Sequence, residues 1–301
     1  MLWGDTSRLG RPFAKDPSVI RFGGRYLLYY SMPGALGSGG SMNGWAVGIA
    51  ESRNLRDWKK IGEVLPGGDY DAKGIAAPCA KVVEGKVHLF YQTYGNGAKD
   101  SICHAVSSDG LVFDRNPTNP VFKAEGDWTA GRVIDAELVR FKDKWFMYGA
   151  TRDPKMKIQM LVAGWSTTGF NRNDWTFYKE GTILKPELPW EGECCEAPAA
   201  VVREGTLYLF YAGAYNNAPQ QIGCAKSTDG IHFTRLFQEP LLRAGKPGEW
   251  NSSESGHPGT FVDDDGQTYL FYQGNPDKGK TWLLSFVKIG WKNGIPFVME
   301  S

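Results

Sequence analysis

The 301-residue chain has almost no excess charge of either sign, with 34 Lys and Arg against 33 Asp and Glu. That balance removes the electrostatic footprint of a nucleic-acid binder or of a protein held to an anionic membrane surface. No stretch reaches the roughly 18 uninterrupted apolar residues of a spanning helix, so no membrane segment is expected. No basic region followed by an apolar run opens the sequence, so no signal peptide is expected. Helical periodicity is missing from every window long enough to show it. Cysteine is scarce and odd in number: Cys79, Cys103, Cys194, Cys195 and Cys224 fit no zinc spacing. Four of them lie in or beside apolar strand-like runs and read as buried, reduced thiols. That favours the cytoplasm; a signal peptide already trimmed away would make the protein periplasmic or secreted.

Turn residues and aromatic rings are plentiful: 38 Gly, 17 Pro and 13% aromatics, 11 of them Trp. They recur in related segments at 16–30, 77–91, 135–148, 196–211 and 257–272. Each reads as strand, tight turn, strand, and closes on Tyr30, Tyr91, Tyr148, Tyr211 or Tyr272, a period of about 60. A third strand follows and ends in a polar turn closed by an aromatic, as from Ser52 to Trp58, Ser107 to Phe113 and Ser227 to Phe233. Residues 166–175 are a longer version, and a fourth strand such as 234–242 comes next. Four antiparallel strands repeated five times predict an all-β, five-bladed β-propeller. The blades are expected at 13–66, 74–123, 132–185, 194–242 and 255–300, within one domain covering 1–301.

The first strand of a propeller blade lies nearest the axis, so residues at its start face the central cavity. Aligning the hairpins places Asp16, Asp135, Glu196 and His257 there, with Glu196 and His257 one position earlier than the aspartates. Blade 2 offers only Ala76 and Ala77. A single acid at a strand start is an ordinary turn cap. Three acids and a His around one mouth form a candidate catalytic cluster.

On these residues the chain resembles the five-bladed propeller glycosidases, most closely glycoside hydrolase family 43, with families 32, 68 and 117 as relatives. The resemblance covers all five repeats. It rests on Asp16-Pro17 opening blade 1, Asp135 opening blade 3, Glu196-Ala197-Pro198 opening blade 4 and Gly256-His257 opening blade 5. It implies that Asp16 is the general base, Glu196 the general acid, and Asp135 the group that raises and orients Glu196. It also implies inversion, and a terminal or short-oligosaccharide pentose-type linkage of the α-L-arabinofuranoside or β-xyloside kind, from a plant or algal glycan. Such chemistry needs one carboxylate ionised and another still protonated near neutral pH, which a third charge nearby can arrange. No cofactor is required; calcium or another ion on the axis near His257 is the alternative to His257 binding the sugar directly. Family 43 usually shows Glu-Gly-Pro where this chain has Glu196-Ala197-Pro198. Arg152-Asp153-Pro154 imitates the Arg-Asp-Pro of the fructan-cleaving relatives but follows the second strand of blade 3, and reads as a loop. A retaining fructosidase, an anhydro-galactosidase, a phosphorolytic enzyme and a non-catalytic carbohydrate-binding propeller are the other readings.

Asp263-Asp264-Asp265-Gly266 resembles a calcium loop until it is aligned, when it falls on the blade 5 hairpin. Trp128 and Trp190 lie six or seven residues before strand starts and are expected to stack on sugar rings or to pack between blades. Arg132 is expected to bind a substrate hydroxyl or carboxylate, or to pair with an acid. Trp58 and Trp175 read as structural. The Gly- and Ser-rich loop 32–45 is expected on the surface, away from the mouth.

Overall fold

The structure, a computed structural model, describes residues 1–35 and 44–300. The core of the loop expected at 32–45 lies outside the described residues. Five four-stranded antiparallel sheets follow one another along the chain. Blade 1 holds β1 (Lys15–Phe22), β2 (Arg25–Pro33), β3 (Trp45–Ser52) and β4 (Lys59–Val64). Blade 2 holds β5 (Ile75–Val83), β6 (Lys86–Thr93), β7 (Ile102–Ser107) and β8 (Asp114–Arg115). Blade 3 holds β9 (Ile134–Phe141), β10 (Lys144–Arg152), β11 (Gln159–Ser166) and β12 (Thr176–Phe177). Blade 4 holds β13 (Cys195–Arg203), β14 (Thr206–Gly213), β15 (Gln221–Ser227) and β16 (Thr234–Arg235). Blade 5 holds β17 (Glu254–Val262), β18 (Thr268–Asn275), β19 (Leu283–Lys292) and β20 (Ile295–Val298). The expected all-β, five-bladed architecture is therefore the observed one. The fourth strands are shorter than expected. In blade 4 only Thr234–Arg235 pair continuously, and the segment returns to the sheet through a bridge between Ile222 and Leu242.

The inner hairpins turn on paired left-handed residues, Gly23-Gly24, Glu84-Gly85 and Glu204-Gly205, which suits the twist of two-residue loops. The acidic run from Asp263 is the corresponding turn of blade 5. Asp263 bonds Gln267 through its backbone and accepts the Tyr26 hydroxyl at 2.8 Å. The recurrent Ser-x-Asp-Gly turns are self-supporting. The Ser107 hydroxyl accepts the Gly110 amide, and Asp109 accepts the Leu111 and Val112 amides; Ser227 and Asp229 repeat the scheme. Each of these turns also clasps another blade. The Gly110 carbonyl accepts the Tyr29 hydroxyl, and the Gly230 carbonyl accepts that of Tyr148. A Cβ on Gly110 would lie 2.7 Å from Leu27, so the clasp is closed to any larger residue.

The closing tyrosines are equivalent in four blades, not five. Across the inner hairpins, Ser18, Cys79, Glu137, Ala199 and Gly259 oppose Tyr29, Phe90, Tyr148, Phe210 and Phe271. Tyr148 therefore matches Tyr29, and Gly149 stands where the others have Tyr30, Tyr91, Tyr211 and Tyr272. Three of those four tyrosines donate to a buried acid that has its own cation. Tyr91 bonds Asp71, paired with Arg115 at 2.8 Å, and Tyr211 bonds Glu191, paired with Arg235 at 2.8 Å. In blade 1, Tyr30 bonds Asp5, with Lys60 at 3.4 Å. Asp5 belongs to the N-terminal segment, which the repeat did not assign to a blade.

That segment closes the ring. Trp3 and Leu284 exchange both backbone hydrogen bonds, at 3.0 and 2.7 Å, as Leu242 and Ile222 do in blade 4. Trp3 thus supplies to blade 5 the outer pairing that blades 2, 3 and 4 draw from their own later residues. Burying the open edge of β19 in this way satisfies polar groups that would otherwise invite pairing with another chain.

Candidate active site

Every inner strand is bulged at its start. The register shifts at Asp16-Pro17, Ala77-Pro78, Asp135-Ala136, Ala197-Pro198 and His257-Pro258. The first residue of each pair is left-handed, with φ of 54°, 45°, 56°, 50° and 46° in that order, although none is glycine. Such a conformation persists in a non-glycine residue only where the surroundings hold it, and bulges re-aim side chains. Proline follows in four of the five, where the bulge leaves no ladder bond for its missing N–H. This register also corrects the hairpin alignment. His257 is level with Asp16 and Asp135, and only Glu196 sits one residue earlier, with Ala197 at the common position.

The five strained amides are held by a ring of bonds, each running to the preceding blade. Asp16 N donates to Gln273 at 3.0 Å, Ala77 N to Ser31 at 2.7 Å and Asp135 N to Gln92 at 3.0 Å. Ala197 N donates to Asp135 Oδ2 at 3.2 Å and His257 N to Gln220 Oε1 at 3.0 Å. Gln92 and Gln273 were not singled out in the sequence. The signal that finds them is a polar residue facing the bulge from the second strand.

One cavity of about 310 Å³ opens over these strand starts. Asp16, Asp135, Glu196, His257 and Arg132 all line it, as expected, together with Ala76 of blade 2. Ala77 lies below, in the narrow channel that continues along the axis, where Lys81 pairs with Glu137 at 2.9 Å. Trp128 and Trp190 are absent from the lining, which corrects their expected stacking on sugar. Trp128 donates to the Lys179 carbonyl and stacks on Phe177; Trp190 donates to the Gln238 carbonyl and stacks on Tyr211. Trp190 lies so close over Gly213 that a Cβ there would sit 2.3 Å from the ring. The rings that do line the cavity are Trp45, Tyr94 and Tyr215. All three lie on or after second and third strands, outside the repeated segments that drew the search.

Arg152 also lines the cavity, so the Arg-Asp-Pro run is no mere surface loop. Arg152 ends β10, and its Nε donates to Gln159 Oε1 at 2.8 Å. Gln159 in turn donates its amide to Glu196 Oε2, and Gln220 donates to Glu196 Oε1 at 2.6 Å. Gln220 fits because residue 256 is glycine: a Cβ there would lie 2.0 Å from the Gln220 oxygen. The Gly-His pair opening blade 5 thus serves Glu196 as well as His257.

The electrostatics separate the carboxylates. His257 Nε2 stands 3.3 Å from Asp16 Oδ1 and 3.4 Å from Asp135 Oδ1. Burial works against the imidazolium, but the two carboxylates outweigh it and lift its pKa to about 9. Burial likewise works to raise Asp135, yet the His257 charge prevails and holds its carboxyl below the usual range. Glu196 goes the other way: burial first, then the charge of Asp135, push it up to about 7. Near neutral pH the cluster therefore offers an ionised Asp135 beside a Glu196 that still carries its proton half the time. A protonated His257 is itself a cation between Asp16 and Asp135. Its N–H donor does not fit the all-oxygen shell of a calcium ion. Among the described residues no group of three or more His, Cys, Asp or Glu side chains is arranged to hold a metal.

Comparisons with known proteins give the family and the fold. A 1,2-beta-oligomannan phosphorylase from Thermoanaerobacter is 28% identical over 66% of this chain and 64% of its own length. Xylosidase/arabinosidase 43A from Humicola insolens is 30% identical over 31% of this chain and 26% of its own. The chain thus spans less than two thirds of the length of either relative. A thermostable family-43 glycoside hydrolase of known structure superposes with a TM-score of 0.75 at 21% identity, covering 96% of this chain and 93% of that one. The family model for glycosyl hydrolases family 43 matches residues 9–296, nearly the whole ring and every residue of the acidic cluster, and the chain belongs to that family.

Proposed function

We propose that the protein hydrolyses a terminal or short-oligosaccharide glycosidic bond with inversion at the anomeric carbon. Glu196 is the general acid that protonates the leaving oxygen, Asp16 the general base that takes a proton from the attacking water, and Asp135 the charge that keeps Glu196 protonated. The observation that carries this reading is the opposite displacement of two neighbouring carboxyls, Asp135 downward and Glu196 up to about 7. Acid catalysis near neutral pH requires that separation. His257 supports it by standing between Asp16 and Asp135 and keeping Asp135 ionised, and Gln159 and Gln220 fix the Glu196 carboxyl toward the cavity.

The substrate proposed is a pentose-type glycan of the α-L-arabinofuranoside or β-xyloside kind, which the xylosidase/arabinosidase relative supports. Trp45, Tyr94 and Tyr215 offer ring faces on which the C–H surface of a sugar can lie. A panel of 4-nitrophenyl glycosides and oligosaccharides, with product anomers followed by NMR, tests the reading. The expected result is release of an inverted sugar by the parent protein and turnover at least about a hundredfold lower in Glu196→Gln and Asp16→Asn. A retained product would overturn the assignment of Asp16 as base; sugar binding without turnover in all three proteins would overturn the enzyme reading.

A further inference from the structure

We propose that Arg132 and Arg152, neighbours on the rim of blade 3, form an oxyanion subsite in the cavity, so that the ligand bound there carries an anionic group. That group is the carboxylate of a uronosyl unit in the substrate or free phosphate. The inference rests on the reading of the cavity as the sugar site.

Both arginines line the cavity. Their backbones are tied together, since the Arg152 carbonyl accepts the Ala130 amide at 2.8 Å and the Arg132 carbonyl accepts the Thr151 hydroxyl at 2.5 Å. Among the described residues no carboxylate comes within 4 Å of either guanidinium, although Asp16, Asp135 and Glu196 share the cavity. Within the described residues the Arg132 guanidinium makes no hydrogen bond; its Nε is buried, so Nη1 and Nη2 are the ends a ligand can reach. Arg152 is set in place: Nε is spent on Gln159, Nη1 on the Met156 carbonyl at 3.3 Å, and the plane lies 5.2 Å from the Tyr215 ring. Within the described residues no bond engages its Nη2.

Two guanidinium charges that share one cavity repel one another, and their N–H groups facing it need acceptors. Both penalties are relieved by one ligand that is anionic and presents two or more acceptor oxygens, and the planar fork of arginine suits carboxylate and phosphate alike. A neutral pentoside relieves only the second. The charge inventory agrees. Lys15, Arg132, Arg152 and the imidazolium of His257 face Asp16, Asp135 and Glu196, so the cavity is net positive whenever Glu196 holds its proton. In the phosphate case the anomeric carbon loses its bond to the leaving oxygen and gains one to a phosphate oxygen. The Glu196 proton goes to the leaving group, and the product is a glycosyl phosphate.

Isothermal titration calorimetry on the full chain near neutral pH tests the proposal with galacturonate, galactose and inorganic phosphate as probes. Galacturonate or phosphate is expected to bind at least about tenfold more tightly than galactose. That preference should vanish in Arg132→Gln and Arg152→Gln and survive in part in Arg132→Lys, which keeps the charge. Phosphate-dependent formation of a glycosyl phosphate, seen by phosphorus NMR, assigns the site to a co-substrate; preference for galacturonate over phosphate assigns it to the substrate. Equal binding of galacturonate and galactose, or an anion preference unchanged in both Gln variants, overturns it. Failure of the hydrolase reading shows separately, as sugar binding without turnover.

Discussion

Asp135→Asn removes one negative charge from beside Glu196 while leaving an oxygen that can still accept the Ala197 amide. Glu196 stands at about 7 against an ordinary 4.5, which corresponds to roughly 3 kcal/mol in favour of the protonated acid. Burial supplies the larger share and the Asp135 charge the next. The variant keeps the burial, so Glu196 falls only part of the way, on the order of one pH unit. His257 does not cancel the effect: it retains Asp16 at 3.3 Å, stays protonated near neutrality and continues to favour the Glu196 anion. Because the general acid must carry its proton, Glu196 sets the alkaline limb of the rate profile. In the parent, turnover should decline as pH rises through about 7. In Asp135→Asn the decline should begin about one unit lower, so that the variant loses more activity at pH 8 than at pH 5. Initial rates on the best substrate, measured from pH 4 to 9, give the comparison. An alkaline limb that stays in place, or moves upward, would refute the assignment of the Asp135 charge as a contributor, beside burial, to the Glu196 proton affinity.

Three other perturbations follow from the packing. Glu196 has a folded-state pKa above its unfolded one, so the folded chain binds the extra proton and loses stability as pH rises from about 4.5 to 7; Glu196→Gln should raise the unfolding midpoint at pH 8 more than at pH 5. Its gain should stop short of the full roughly 3 kcal/mol, since a Gln amide cannot accept from both Gln159 and Gln220. Gly256→Ala drives a Cβ into Gln220 and should lower turnover about tenfold or more with a stability loss of 1–3 kcal/mol, roughly the cost of overpacking, read by rates and thermal melts. Trp190→Ala should cost less than the roughly 3–5 kcal/mol of a fully buried Trp, with KM unchanged, because the half-buried ring fills the space over Gly213 and Gly223 and does not line the cavity; a raised KM with an unchanged melt would restore its sugar-stacking role.

The repeat made the propeller legible because each blade carries the same turn chemistry, and turn chemistry is local. Gly110 and Gly230 are readable as turns without knowing what they clasp. The acidic cluster was legible for a related reason: Asp16, Asp135, Glu196 and His257 all open first strands, although the bulge that makes His257 level with the aspartates shows only in the cross-strand register. What stayed hidden depends on contacts between blades. Tyr148 looks like a fifth closing tyrosine because strand register is settled by cross-strand pairing, which a Tyr-Tyr or Phe-Tyr pair leaves ambiguous by one residue. Trp128 and Trp190 carried the right chemistry for a sugar platform, but their direction is set by partners such as Phe177 and Tyr211 that no spacing reveals. Arg152 stood out in its Arg-Asp-Pro run but read as a loop, because it ends a second strand and the rule that chemistry lies at first-strand starts gave it no role. Gln159 and Gln220 act on Glu196 from outside any motif at all.

The fold-back of Trp3 onto Leu284 has a temporal consequence. Trp3 precedes blade 1, and the strand it pairs with belongs to blade 5, so this contact waits until all five blades have been made. The clasp on the Asp16 amide comes from Gln273, in the final blade. The proposed base and acid belong to blades 1 and 4, yet Asp16 is not locked into its left-handed turn until blade 5 has been synthesised and closed. A nascent chain therefore holds blades 1 to 4 before it holds a complete site, and the proposed catalytic arrangement is assembled in one step when blade 5 joins the ring.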